Sequence, residues 1–264
     1  MGEFSAILSC AYDYPLTKDE PQPFDITTLV APDGSITAKF VSFGATMTEL
    51  WVKDKYGRPR DIILGYDDNT KLLTDPFHPV FNPIVGRNLD AFQGSDDILA
   101  HHLHIDSSRV VAVDGDAIPT GEFIDVAGTA YDFRTPERID YRWNDTAGFC
   151  GGGCIGYDNC WIYDHNETSK PGISLWSDLS GIRLDVTTNN PATQVFTAYG
   201  LQLLNMSRKL VHGGPRLIYE SSAGVAIEQE GYIDAINTPE WGVDQICTAG
   251  PGTRLRLVTR IESL

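Results

Sequence analysis

The densest candidate chemistry lies between Ala226 and Glu240. Ala226-Ile227-Glu228-Gln229-Glu230 reads as a strand, with Ala226 and Glu228 on one side and Ile227 and Gln229 on the other. Gly231 breaks the pattern, and Asn237-Thr238-Pro239 marks a loop. A carboxylate inside such a strand costs desolvation energy unless it is paired or used. Two readings stand at this point: Glu228 and Glu230 are solvated on a surface strand, or Glu228 serves a reaction. Paired with Asp158, Glu228 would also suit glycoside hydrolysis, given the right separation.

Other clusters carry less. Cys150, Cys154 and Cys160 surround Gly151-Gly152-Gly153, and with Cys10 and Cys247 they make an odd total that excludes complete intrachain pairing. Zinc would need a fourth ligand, for which His165 is nearest, and the spacing matches no common finger. A disulfide within the cluster suits a secreted chain, where the sequons at Asn144, Asn166 and Asn205 would also matter. In Leu99 to Ile105, His101 shares a face with Leu103 and Ile105, and His102 shares the other with His104. With no carboxylate or cysteine beside them, these read as solvated strand histidines. His212-Gly213-Gly214, between Lys209 and Pro215, reads as a turn in a basic surface segment. There is no phosphate-cradling glycine loop and no Gly-x-Ser-x-Gly elbow.

The elements that must position these groups are short strands. Phe40 and its neighbours alternate, and Met47 to Val52 forms a partner strand. Ile62-Ile63-Leu64 is a short buried run, and Leu73 to Pro83 is Pro-rich and irregular. Val110 to Val113 and Trp161 to Tyr163 are apolar, and Ile173–Trp176 with Ile182–Val186 forms a hairpin around Asp178-Leu179-Ser180-Gly181. Gln194 to Ala198 is a strand, and Leu255 to Ile261 ends the chain as a strand with one wet face. Helical periodicity is scarce, hinted at only in Thr197 to Met206 and Asp234 to Ile236. The expected fold is all-β, an antiparallel sandwich or barrel. Residues 1–24, with Pro15, Lys18, Asp19, Glu20, Pro21 and Pro23, are expected as a loosely ordered lead-in, and residues 25–264 as a single domain.

Composition bounds the function. The 264 residues are 42% hydrophobic and 21% charged, enough for a full core. Lys plus Arg total 20 against 36 for Asp plus Glu, giving −16, which argues against nucleic acid or an anionic membrane as partner. No apolar run reaches transmembrane length. The start has a short apolar core but carries Glu3 and lacks a basic flank, a poor signal peptide. Cytoplasmic residence is the default, with an extracellular location as the alternative.

Several stretches together resemble the galactose mutarotase (aldose 1-epimerase) family. They are Phe43-Gly44-Ala45-Thr46-Met47-Thr48-Glu49-Leu50, Asp61-Ile62-Ile63-Leu64-Gly65-Tyr66-Asp67, Pro119-Thr120-Gly121-Glu122 and Tyr131-Asp132-Phe133-Arg134-Thr135-Pro136. Gly156-Tyr157-Asp158-Asn159 resembles the family's Gly-Tyr-Asp motif, Gln194-Val195-Phe196-Thr197 its Gln-bearing strand, and Ala226 through Glu240 its closing signature. They run in the family's order from about Phe40 onward. The resemblance implies a large antiparallel β-sandwich and interconversion of the α and β anomers of free aldoses such as glucose or galactose, without a cofactor. It implies Glu228 as the base, Asp158 as an acceptor for sugar hydroxyls, and Gln194 as a hydrogen-bonding partner near the anomeric carbon. Trp161 is a candidate apolar platform for the sugar or a core residue.

The chain departs from the pattern at one junction. Arg87 joins directly to Asn88-Leu89-Asp90, where the family carries a block with a second, sugar-contacting arginine and two motif histidines, one of them the acid. The resemblance therefore implies a sandwich truncated in the middle, with exposed edges and apolar faces, and an epimerase impaired by on the order of two to four decades through loss of the acid. A non-catalytic carbohydrate-binding relative is the alternative. A phosphosugar epimerase would want an arginine-rich mouth, which the −16 charge opposes.

Overall fold

The computed structural model describes residues 2–9, 22–74, 86–165, 169–243 and 254–264. Cys10, Cys247, the Asn166 sequon and the Pro76 to Pro83 stretch lie outside the described residues. In chain order the strands are β1 (Gly2–Ser9), β2 (Ile26–Val30), β3 (Thr37–Val41), β4 (Thr46–Lys53) and β5 (Pro59–Asp61). Next come β6 (His102–Ile105), β7 (Arg109–Val113), β8 (Pro119–Asp125), β9 (Glu137–Arg138) and β10 (Asp158–Ile162). The last five are β11 (Ile173–Trp176), β12 (Ile182–Thr188), β13 (Ala192–Phe196), β14 (Ala226–Glu230) and β15 (Arg254–Ser263). Helical structure among the described residues is confined to short 3-10 turns.

The strands form three antiparallel sheets: β1-β15-β12-β11-β6-β9, β14-β13-β10-β7-β8 and β2-β3-β4-β5. Alternation explains how they pack. In β12, Ile182, Leu184 and Val186 are buried while Arg183 and Asp185 are only partly so; in β4, Leu50 and Val52 point in while Glu49 and Trp51 point out. One apolar core draws from all three sheets: Leu103, Ile105, Leu175 and Leu184 from the first, Val110, Trp161, Val195 and Ile227 from the second, Ala38, Leu50 and Val52 from the third. The expected antiparallel sandwich is present.

The two stretches with a helical hint close as single turns, Leu201–Leu204 and Ala235–Asn237. Left-handed residues bound the first, Gly200 at φ 75° and Asn205 at φ 50°, so the helix cannot propagate. Gly2–Ser9, within the expected lead-in, is a strand paired along β15 from Gly2↔Ile261 to Ser9↔Arg254. The proline and charge cluster behind that expectation starts only at Pro15, after this strand.

The Arg87-Asn88 junction is woven into the sheets. Arg87 exchanges backbone hydrogen bonds with Val225 (2.8 and 2.9 Å), and the Asn88 amide donates to the Ile62 carbonyl at 2.9 Å. The Asn88 side chain is fully buried and donates Nδ2–H to the Ala223 carbonyl at 2.9 Å. Apolar side chains do lie exposed on the segment before β14: Leu203, Leu210, Val211 and Leu217, with Leu203 at 76%.

Candidate active site

The three residues singled out from the sequence come from three neighbouring strands of one sheet. Cys160 on β10 pairs with Gln194 on β13, and Gln194 pairs with Glu228 on β14. Directly opposed residues share a face, so Cys160, Gln194 and Glu228 form one row. One step along, Asp158 pairs with Phe196, and Phe196 with Ala226. One step the other way, Ile162 pairs with Ala192, and Ala192 with Glu230. Asp158, Gln194, Glu228 and Glu230 therefore occupy one sheet face. Trp161, Val195 and Ile227 point through the opposite face into the main core.

Local chemistry holds each group. Gly156 stands at φ +120°, and a Cβ there would come within 2.5 Å of the Thr197 hydroxyl and 2.8 Å of the Trp143 ring, so the position requires glycine. The Gly156 amide donates to the Thr146 hydroxyl and the Tyr157 amide to the Thr197 hydroxyl, both at 2.9 Å. The buried Tyr157 donates its phenol to the Ala130 carbonyl at 2.7 Å. In the Gly-Tyr-Asp sequence, glycine makes room, tyrosine anchors, and Asp158 emerges on the face it shares with Gln194 and Glu228. Gln194 then donates Nε2–H to Asp158 Oδ1 at 2.7 Å. The other amide atom, Gln194 Oε1, is buried with no hydrogen-bond partner among the described residues.

The electrostatics favour bound protons. Burial raises the Asp158 carboxyl above its ordinary value, while the Gln194 donor works against the rise. Burial raises Glu228 as well, the Asp158 charge adds to it, and Arg87 opposes it. Arg87 itself is brought down to about 10 by burial, and the Glu228 charge resists that fall. Glu230 rises to about 7, through burial first and then the Glu228 charge; the Cys160 thiol resists, and Asp158 adds to the rise.

Spacing leaves Glu230 as a solvated neighbour of Glu228 and does not place Arg87 beside Glu228. The signal for Glu230 was its two-residue spacing from Glu228. For Arg87 there was none, because its bridge to Val225 depends on tertiary pairing.

Other candidates fall elsewhere. Trp161 is fully buried, with Nε1–H donating to the Tyr131 carbonyl at 3.1 Å, and is a core residue. It follows Asp158 by an odd number of residues, which turns it to the opposite face. The histidines of the 101–104 stretch are not all solvated. His101 is fully buried, accepts from the Leu89 amide at 3.1 Å, and is lowered to about 4 by burial, so it is neutral. His102 stacks on Trp176 with centroids 5.0 Å apart and meets Asp178 at 3.1 Å.

His212 does not lie on a basic surface segment. It is buried, its Nε2–H donates to the Asp61 carbonyl at 2.7 Å, and its Nδ1 accepts from the Tyr219 hydroxyl at 2.7 Å. Neighbouring Lys209 is buried too, satisfied by the Thr48 and Ile63 carbonyls and by Asp61 Oδ2 at 2.7 Å. Three acceptors with one full charge make that burial possible. Within the cysteine cluster, Cys150 and Cys154 form a disulfide and Cys160 is a buried thiol. A mainly apolar cleft lined by Ile36, Val52, Lys53 and Ile261 lies on other strands, apart from the carboxylates.

Comparison with known proteins gives the same direction. A family model described as aldose 1-epimerase matches residues 77–262. A probable aldose 1-epimerase of Arthroderma benhamiae is 31% identical over 218 residues, covering 72% of this chain and 49% of that protein. The galactose mutarotase of Rattus norvegicus is 27% identical over 151 residues, covering 57% of this chain and 41% of that protein. The chain thus spans about half the length of the curated relatives it matches. An aldose epimerase homologue from C. elegans superposes with a TM-score of 0.71 at 17% identity, covering 91% of this chain and all of that one. Galactose 1-epimerase from Lactobacillus acidophilus superposes with a TM-score of 0.64 at 13% identity, covering 98% of each. At those identities the superpositions speak for the fold, an all-β mutarotase sandwich, and the family match carries the assignment. The chain belongs to the aldose 1-epimerase family.

Proposed function

We propose that this chain interconverts the α and β anomers of a free aldose, with Glu228 as the base that takes the proton of the anomeric hydroxyl. The supporting observation is the single sheet face that holds Asp158, Gln194 and Glu228 in a family member. Asp158 accepts hydrogen bonds from sugar hydroxyls, and Gln194, tied to Asp158 by one amide atom, hydrogen-bonds near the anomeric carbon with the other. Glu228 is buried enough to be a stronger base than an exposed carboxylate, and Arg87 keeps its charged form accessible. The small-molecule substrate is an aldose such as glucose or galactose, and no step requires a cofactor.

Polarimetry of fresh α-glucose or α-galactose tests this reading. Decay of rotation faster than the spontaneous background, lost in Glu228→Gln, supports it. A wild-type trace that follows the background overturns it.

The second reading is a non-catalytic sugar-binding relative. It is favoured by one observation: among the described residues, His101 and His212 are committed to buried structural contacts, His102 and His104 lie on β6 in a different sheet, and exposed His165 lies past the end of β10 away from Asp158. Sugar binding by calorimetry, together with a background rate, would select it.

A further inference from the structure

We propose that Glu230 is the general acid of this chain, the group that protonates the ring oxygen while Glu228 deprotonates the anomeric hydroxyl. The inference rests on the epimerase reading above and deepens it.

The geometry comes from β14. Glu228 and Glu230 share a face two residues apart, roughly 7 Å along the backbone. The anomeric hydroxyl and the ring oxygen are bonded to one carbon, so their acid and base must approach adjacent atoms. Opposite Glu230 stands Ala192, whose methyl leaves space over β13. Across that gap the Cys160 thiol on β10 acts on the Glu230 carboxyl and opposes the rise of its pKa. Burial pushes that thiol's pKa up, so it remains an S–H donor. One carboxyl atom, Glu230 Oε1, is buried with no hydrogen-bond partner among the described residues. Beneath lie Val111, Ile162 and Ala192, with Tyr232 and Trp241 packed against them, which keeps that side apolar.

The surroundings divide the proton between the two acids. Glu230 faces Cys160 and Asp158 from β10 and Glu228 from its own strand. Arg87 acts on Glu228 and favours its charge. Two like charges this close cannot both ionise freely. The arginine settles the charge on Glu228 and leaves the proton on Glu230, which titrates near 7.

The step balances. Glu228 takes the O1 proton, the C1=O1 bond forms, the C1–O5 bond breaks, and O5 leaves with the proton of Glu230. After rotation about C1–C2, O5 attacks the other face of C1 and returns its proton to Glu230, and O1 recovers one from Glu228. No electron is gained or lost.

The test is polarimetric, on the full chain, with Glu228→Gln, Glu230→Gln and Cys160→Ala. Glu230→Gln keeps the shape and removes the titrating group. It is expected to lose about 10²- to 10⁴-fold of the rate above background, with sugar affinity by calorimetry held within about twofold. The wild-type pH–rate profile should fall on its alkaline side near pH 7. Cys160→Ala removes the thiol that lowers Glu230, so that limb should move to higher pH, a change that a purely structural role would not produce. If Glu228→Gln is inactive while Glu230→Gln keeps the wild-type rate, Glu230 is not the acid and the epimerase reading survives. An alkaline limb unmoved in Cys160→Ala also overturns the assignment. A wild-type chain no faster than background overturns both readings together.

Discussion

Gln194 lies directly opposite Glu228 across β13 and β14, yet spends its amide hydrogen on Asp158, one row away, at 2.7 Å. The strand position facing the proposed base thereby carries the side chain that holds the proposed sugar-binding carboxylate. Gln194→Leu should remove the donor that opposes the rise of Asp158, so the Asp158 carboxyl should titrate higher still. Sugar affinity should weaken by about 0.5–1.5 kcal/mol, the range for a hydrogen bond between neutral groups. Carboxyl-detected NMR titration reads the first effect and calorimetry the second; an unchanged Kd would remove Gln194 from the binding site.

Glu230 should also shape stability. Its folded value of about 7 is above the ordinary 4.5, so the folded chain holds that proton more tightly than the unfolded chain. The associated stability is present below about pH 4.5 and is lost as pH rises through 7. Glu230→Gln cannot lose it. The variant should gain on the order of 1–3 kcal/mol over wild type at pH 8, with the difference closing on acidification. Urea denaturation at several pH values checks this, and a difference independent of pH would refute it.

Lys209 and Asp61 should behave as a buried pair. Asp61 Oδ1 also accepts from the Leu50 amide at 2.9 Å, so its carboxylate is fixed in place. Lys209→Met strands that charge, and a loss of about 3–5 kcal/mol is expected by chemical denaturation. The double variant with Asp61→Asn should lose clearly less than the sum of the two single changes.

Asp54 organises the turn between β4 and β5. Its carboxylate accepts from the amides of Tyr56 and Arg58 and from both Nε and Nη2 of Arg60. Burial works against its charge, but the Arg58 amide, the Arg60 guanidinium and the Tyr56 amide hold the carboxyl below 3.8. Asp54→Ala should cost about 2–4 kcal/mol near neutrality. That contribution is present above the ordinary carboxylate range and disappears as pH falls through the depressed value. The gap between wild type and variant should therefore narrow only below about pH 4.

The fold was largely legible because alternation and turn residues are local properties. The β11–β12 hairpin, the β3–β4 pair and the late strand carrying Gln194 follow from them directly. Alternation also separates Trp161 from Asp158, although the resemblance drew attention to both. Burial was not legible. His101, Lys209 and His212 look wet from their neighbours in sequence, and tertiary contacts, those with Leu89, Asp61 and Tyr219 among them, hold them inside. The grouping of Asp158, Gln194 and Glu228 needed the family's pattern, because spacing places residues on a face without saying which strands lie side by side. Glu230 shows the same limit: its side of β14 was readable and its surroundings were not.

The cross-strand order of β10, β13 and β14 has a consequence for folding fidelity. A one-residue slip of β14 would leave a sheet of similar hydrogen bonding but turn Gln229 outward and drive Glu228 and Glu230 into the apolar core. Misregistered molecules would bury two carboxyl groups without partners and would be unstable. The carboxylates thus act as proofreaders of the sheet, penalising the wrong alignment.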